Sequence, residues 1–317
     1  MYKRQVCACS SPDVETQADL QEIFSHPPED AKPRGYWIWP HGNFDYSRIS
    51  EELREFKEKG LGGVDIYDMG ISDPYDIIPP GNAFLSDQMM DGIEYALEEA
   101  ANLDLAMGLS VSNGRNAGGD WTKPDEMIMR LLFWKDTLQG PATINTIGFP
   151  DIPRTFKKPY GTFDLFPQFD EEGFPVYYEN VALIAYPLTQ NNEVNDLQKI
   201  IYLDPDKIKG NSVDISLPEG EWVLARAVVT PLGQKMWVRS DRSNGFIMDH
   251  YSVKATRNHF NHVIGRLEDR LGNLEETSLE RLYLASFEAE DYIIWSPELK
   301  KTFYAYHDYE MDPYIPA

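Results

Sequence analysis

The sequence predicts an α/β fold: a (β/α)8 TIM-type barrel, incomplete at about five β/α units, with an antiparallel β insertion. Three observations carry this. Short apolar runs lead repeatedly into amphipathic helical stretches, the rhythm of a parallel sheet. Between residues 134 and 240 that rhythm gives way to short apolar segments separated by Pro, Gly and Asn turns, the texture of antiparallel strands. No Gly-rich dinucleotide fingerprint follows the first strand, which disfavours a Rossmann sheet. The chain then divides into a leader or tether (1–33), a first part of the barrel (34–133), the β-rich insertion (134–240) and a second part of the barrel (241–317). Five strands do not close an eight-stranded barrel, so the barrel is expected to be truncated at its C-terminal side.

The stretch from Ser10 to Pro33 is mostly polar and reads as a tether. Gly35-Tyr36-Trp37-Ile38-Trp39-Pro40 is an aromatic strand stopped by proline, and the next helix aligns Ile49, Leu53 and Phe56 before Gly60 ends it. A second strand, Gly63 to Tyr67, precedes a helix N-capped by Ser86 that buries Met90, Ile93 and Leu97. Leu105 to Val111 is the third strand; it opens into the polar loop Ser112 to Gly119 and a short helix capped at Thr122. Beyond the insertion, Gly245 to His250 reads as the fourth strand, followed by a helix with Phe260, Val263, Leu267 and Leu271 on one face. Leu282 to Phe287 is the fifth, with a last helix from the N-cap Ser296.

Bulk chemistry narrows the partners. Asp and Glu number 52 against 29 Lys and Arg, a formal charge of -23, and no basic stripe with interleaved aromatics overrides it; nucleic acid and anionic membranes are disfavoured. The 13% aromatic content argues for a folded chain and suits sugar faces. No stretch is long and apolar enough for a transmembrane helix. Cys7 and Cys9 are the only cysteines, which leaves no structural disulfide for the body of the chain. Val6-Cys7-Ala8-Cys9-Ser10 looks like the end of a bacterial lipoprotein signal with a lipid anchor at Cys9, though the apolar segment such a signal needs is missing.

In a parallel barrel the strand ends collect in one place. Here they bring His41 and Asn43, Asp68, Asn113 and Arg115, Asp249 and His250, and Glu288. Each has a plain alternative: Asn43, Asp68 and Asn113-Gly114 as turn residues, Asp249-His250 as a helix cap, a role Ser252 also fits, and Glu288 as a solvated loop acid. Together, amides, carboxylates and aromatics with no thiol or basic cluster suit a neutral polyol, with Trp39 and Trp121 to stack on a sugar ring. Glycoside hydrolysis needs one protonated carboxyl and one base or nucleophile, and Glu288 at the end of an apolar strand is the candidate acid, with the raised pKa that role requires. No Gly-x-Ser-x-Gly elbow, His-Glu-x-x-His or phosphate loop offers another chemistry.

Tyr36-Trp37-Ile38-Trp39 with Gly42-Asn43, Gly60 to Val64, Ser112-Asn113-Gly114 with Gly118 to Trp121, Gly245 to His250, and Ser286-Phe287-Glu288 resemble glycoside hydrolase family one hundred and six, the α-L-rhamnosidases, in the same order. The resemblance implies an inverting bacterial glycosidase, periplasmic or at the cell surface, acting on a rhamnose-containing glycan, with a calcium ion near the sugar and the general acid at Glu288. The family's second carboxylate lies beyond the matched residues, so the chain is expected to be inactive alone, and no metal ligand is assigned. Where the family has an acidic residue before the Ser-aromatic-Glu motif, this chain has Ala285. Rival readings are a carbohydrate-binding barrel without catalysis and a barrel lyase or isomerase.

Overall fold

The structure, a computed structural model, describes residues 17–159, 161–188, 197–289 and 294–315. Cys7 and Cys9 lie outside the described residues. The expected tether holds a helix, α1 (Gln17–Ser25), with Leu20 and Phe24 exposed. Then follow β1 (Arg34–Pro40), α2 (Tyr46–Glu58), β2 (Gly63–Met69), α3 (Asp87–Asn102) and β3 (Ala106–Ser110). The middle of the chain forms β4 (Gly118–Gly119), β5 (Met129–Thr146), β6 (Thr155–Lys158), β7 (Gly161–Asp164), β8 (Glu179–Pro187), β9 (Ile201–Leu203) and β10 (Ser212–Pro231). The last part holds β11 (Phe246–Ile247), α4 (Val253–Leu271), β12 (Leu279–Tyr283), β13 (Ile294–Trp295) and α5 (Leu299–His307).

Strands β1, β2, β3 and β12 form a parallel sheet in that order. Among the described residues this gives four parallel strands where the sequence predicts five. The run Gly245 to His250 is not one of them. Both edges of β3 are taken, by β2 and β12, so Phe246 and Ile247 pair instead, antiparallel, with Gly119 and Gly118 of the loop after β3. Asp249 then turns the chain into α4, and Ser252 is that helix's cap, its hydroxyl accepting from the Ala255 amide. Two further caps differ from expectation. Thr122 Oγ1 accepts from the Gly119 amide, ahead of a single 3-10 turn, and Ser296 lies upstream of α5, its hydroxyl donating to Glu298. Ser86 does cap α3, and Met90, Ile93 and Leu97 are buried as the helical spacing requires. Each such side chain contributes roughly 1.5–3 kcal/mol of burial energy.

The register assigns every side chain of the parallel sheet to one of two faces. Trp37, Trp39, Val64, Ile66, Met107 and Leu109 lie on the face covered by α2, α3 and α4 and form the main core. The opposite face carries Tyr36, Ile38, Asp65, Tyr67, Gly108, Arg281 and Tyr283. It is open: Tyr36 is 58% and Ile38 47% exposed. Three tyrosines meet there, Tyr36 Oη lying 2.5 Å from Tyr283 Oη with Tyr67 beside both rings. Arg281 donates two hydrogen bonds of 2.6 Å to the buried carboxylate of Asp65, passing over Gly108, where a Cβ would lie 1.9 Å from Asp65 Oδ1.

The antiparallel sheet has the order β13-β5-β10-β8-β9, and the long β5 and β10 pair along most of their length with two register shifts. Arg226 of β10 is fully buried. Its guanidinium donates to Asn180 Oδ1, Asn211 Oδ1 and the carbonyls of Gly148 and Gly210 at 2.8–3.0 Å, with its Cζ 4.9 Å from the Phe149 ring centre. Burial lowers its pKa to about 10, so it stays charged at neutral pH.

Candidate functional site

The loop that leaves β3 organises the site, because its residues reach both the end of β2 and the segment after β12. Gly114 turns it with a φ of +71°, and a Cβ there would come within 2.3 Å of the Trp237 carbonyl, so the close approach needs glycine. The next residue, Arg115, donates its backbone amide to that carbonyl at 2.9 Å. Its guanidinium Nη1 lies 3.2 and 3.3 Å from the two oxygens of Glu288.

Glu288 is moored from four directions. Ser286 Oγ donates to its carboxylate at 3.2 Å, Arg115 as above, Asn116 Oδ1 accepts from its backbone amide, and Gln234 Nε2 donates to its carbonyl at 3.1 Å. The side chain remains 36% exposed, so the carboxyl is held in place and still meets solvent. The adjacent Phe287 packs on His250, ring centres 4.7 Å apart. His250 Nε2 accepts from the Ala117 amide at 3.0 Å, which puts the proton of the neutral ring on Nδ1, and burial holds its pKa below the usual value. Arg115, His250 and Glu288 therefore lie together, although the run that carries His250 is not a strand of the parallel sheet. The sequence does not mark Asn116 or Gln234 as site residues: Asn116 stands inside the polar loop after β3, and Gln234 carries no local signal.

Asp68 and Asn113 also meet, in a closed network without solvent. Asn113 Nδ2 and Ser240 Oγ each donate to one oxygen of Asp68 at 2.5 Å, and Ser240's amide donates to Asn113 Oδ1 at 2.6 Å. Both residues are fully buried and their polar atoms already occupied, which makes the network a clamp between the ends of β2 and β3 and the residues after β10. Burial raises the Asp68 pKa to about 6 despite those donors. A folded pKa above the unfolded value means that the native state binds the extra proton. The contribution of this group to stability is full below about pH 4 and is lost as pH rises through about 6, by roughly 3 kcal/mol in all. Asp68→Asn keeps an acceptor for Asn113 and is expected to abolish this fall. The melting-temperature difference between wild type and variant, measured from pH 4 to pH 7, should shift against the wild type; a constant difference would refute the assignment.

The remaining candidates are placed elsewhere. Trp39 is 2% exposed, packed between Trp37 and Phe44 on the helix-covered face. Asn43 donates both amide hydrogens to carbonyls, of Pro40 and Pro79. His41, with a φ of +54°, accepts from the Ile71 amide at Nε2, and its Nδ1 lies 3.1 Å from Asp241. These two tie down the loops after β1 and β2. Trp121 lies against α4, stacked on His262 with ring centres 4.2 Å apart, its indole N–H donating to His259 Nδ1. Asp249 is buried at the turn into α4, its pKa raised by that burial, with one oxygen accepting from Tyr251. Calcium wants six to eight oxygen ligands. Backbone and amide carbonyls supply many of them, and among the described residues no group of three or more His, Cys, Asp or Glu is arranged to hold a metal.

A four-stranded parallel sheet with helices on one face, an appended antiparallel sheet and a moored, solvent-reaching carboxylate in the segment after β12 describe an α/β protein. The chain belongs to glycoside hydrolase family 106, whose family model, described as alpha-L-rhamnosidase, matches residues 25–201 and 167–317. A relative from Formosa agariphila named a putative beta-glucuronidase is 23% identical over 310 residues, which are 94% of this chain and 26% of that protein. The solved structure of a rhamnosidase from Novosphingobium sp. PP1Y shares the fold, with a TM-score of 0.67 and 17% identity over 94% of this chain and 42% of that one. The chain thus spans less than half the length of these relatives. No helix among the described residues is long and apolar enough to cross a membrane.

Proposed function

We propose that the chain carries the general acid of an α-L-rhamnosidase that hydrolyses its glycosidic bond with inversion, and that Glu288 is that acid. The observation that supports the reading most is the mooring of Glu288: backbone and carboxylate both fixed, by Asn116, Gln234, Ser286 and Arg115, with the carboxyl still reaching solvent. A proton donor must be held in one place relative to the leaving oxygen, and such fixing supplies that. Inversion needs a second carboxylate across the sugar. That carboxylate would stand about 6.5–9.5 Å from Glu288, and in this reading it belongs to the longer protein. The outer edges of β1 and β12 are unpaired among the described residues, and four further strands there would complete an eight-stranded barrel over the open face. The calcium ion, a bacterial envelope location and an acylated Cys9 belong to the same reading, with no ligand for the ion assigned.

The relative's name supports a second reading, a β-glucuronidase. Incubating the 317-residue chain, and a protein of its relatives' full length, with aryl α-L-rhamnosides and aryl β-D-glucuronides separates the two. The expected result is rhamnoside cleavage by the longer protein alone, with the β anomer of rhamnose appearing first in the proton NMR spectrum. Turnover by the short chain would refute the missing base, and cleavage of the glucuronide alone would establish the second reading.

A further inference from the structure

A groove of about 290 Å³ lies along the insertion side of the Glu288 segment, lined by Phe156, Phe163, Phe166, Lys235, Trp237 and Arg239 among others. Its walls are flat rings: Phe156 stacks on Phe163 at 5.0 Å, and Phe163 leans on Trp237 at 5.3 Å. Two cations are set into these walls. Lys235 Nζ lies 4.3 Å from the centre of the Phe166 ring and donates to the neutral Asn244 Oδ1 at 2.5 Å. Neither Lys235 nor Arg239 forms an ion pair among the described residues, whereas Lys254, Arg266, Arg270, Arg281 and Lys300 all do. The one carboxylate lining the groove, Asp164, is exposed at its rim.

The charge balance makes this pairing of like charges informative. In a chain of net charge -23, carboxylates are plentiful, yet two neighbouring, half-buried cations are left without one. Burial, and the charge of Arg239 after it, lower the pKa of Lys235, so the two cations repel across a partly dry site. An anion from outside would relieve both costs. The groove also shares a wall with Glu288. Gln234, beside Lys235, donates to the Glu288 carbonyl, and the Trp237 carbonyl accepts from Arg115, whose guanidinium holds the Glu288 carboxylate.

We infer that this groove is a subsite for an anionic sugar on the leaving-group side of Glu288, its aromatic rings taking the apolar face of a pyranose and Lys235 and Arg239 its carboxylate or sulfate. The leaving-group assignment rests on the proposed role of Glu288; the anion site rests on the groove alone. Isothermal titration of the 317-residue chain at low salt with methyl β-D-glucuronide, glucose 6-sulfate and methyl β-D-glucoside tests it. At least one of the two anions is expected to bind about tenfold or more tighter than the neutral glucoside, which corresponds to one charge-assisted hydrogen bond. The tighter of the two identifies the anion as carboxylate or sulfate. Lys235→Met and Arg239→Met should each remove about that factor for the anion and leave the glucoside unchanged. Lys235→Gln and Arg239→Gln, checked for folding by circular dichroism, repeat the test with polar replacements. Anions binding no tighter than the glucoside, or folded variants binding as wild type, would overturn the inference. Anion binding without any Glu288-dependent rhamnoside cleavage by the full-length protein would keep the anion site and overturn its leaving-group placement.

Discussion

Glu288→Gln is expected to slow the cleavage of rhamnosides with poor leaving groups by about 100-fold or more in a protein of the relatives' full length, while leaving activated nitrophenyl rhamnosides far less affected. Gln is isosteric and can still accept from Ser286 and Arg115, so the mooring survives and only the transferable proton is lost. An alcohol that departs as a poor anion needs that proton in the transition state, whereas dinitrophenolate does not. The dependence of kcat/KM on leaving-group acidity is therefore the measurement, since a merely structural role would depress all substrates alike. An equal loss across the series would remove Glu288 from the chemistry. Arg115→Met is a companion variant: as a positioning change it should lower kcat for both leaving groups, with the steep leaving-group dependence of Glu288→Gln absent.

Arg226→Met is expected to cost about 3 kcal/mol or more, the largest loss of stability among substitutions in the insertion. The methionine fills much of the space but leaves Asn180 Oδ1, Asn211 Oδ1 and the carbonyls of Gly148 and Gly210 without their buried donor. All four acceptors are neutral, so the cost comes from stranded oxygens and not from an orphaned counter-charge. Arg226→Lys should recover only part of it, because one ammonium cannot reproduce a planar fork with several donors. Calorimetry checks this directly: a drop of roughly 10 °C in melting temperature is expected, and a change of about one degree would show that the loops carrying those carbonyls find other donors.

The alternation of apolar runs and helices in the first part of the chain and the antiparallel sheet in its middle are legible in the sequence, whereas the strand ends divide between the surroundings of Glu288, the Asp68–Asn113 clamp and loop contacts. What the sequence hides is the face each residue occupies. In β1 both alternating sets are largely apolar or aromatic, so periodicity does not say which points where. Trp39 and Asp68 pair in register on the helix-covered side, which is why one is core and the other a buried clamp, while Tyr36, Tyr67 and Tyr283, one step out of phase, reach the open side. The run Gly245 to His250 has a strand's composition, yet it pairs antiparallel with Gly118 and Gly119 of the loop after β3, a long-range partner that composition does not encode. Gln234 entered the site through a long-range contact, 54 positions from its partner, that no local pattern encodes.

The bridge from Arg281 to Asp65 joins residues 216 positions apart, and the pairing of β3 with β12 closes a loop containing every strand of the antiparallel sheet except β13. Loop-closure entropy grows only with the logarithm of length, so the separation weakens the finished sheet little, but it delays its assembly. Strands β1 to β3 with their helices can collapse early as a local unit, and β5, β8 and β10 as another. The last parallel strand must wait for both. During that interval the far edge of β3 stays unpaired, the condition in which strands of separate molecules associate. Refolding yield should therefore fall with protein concentration more steeply than final stability would suggest.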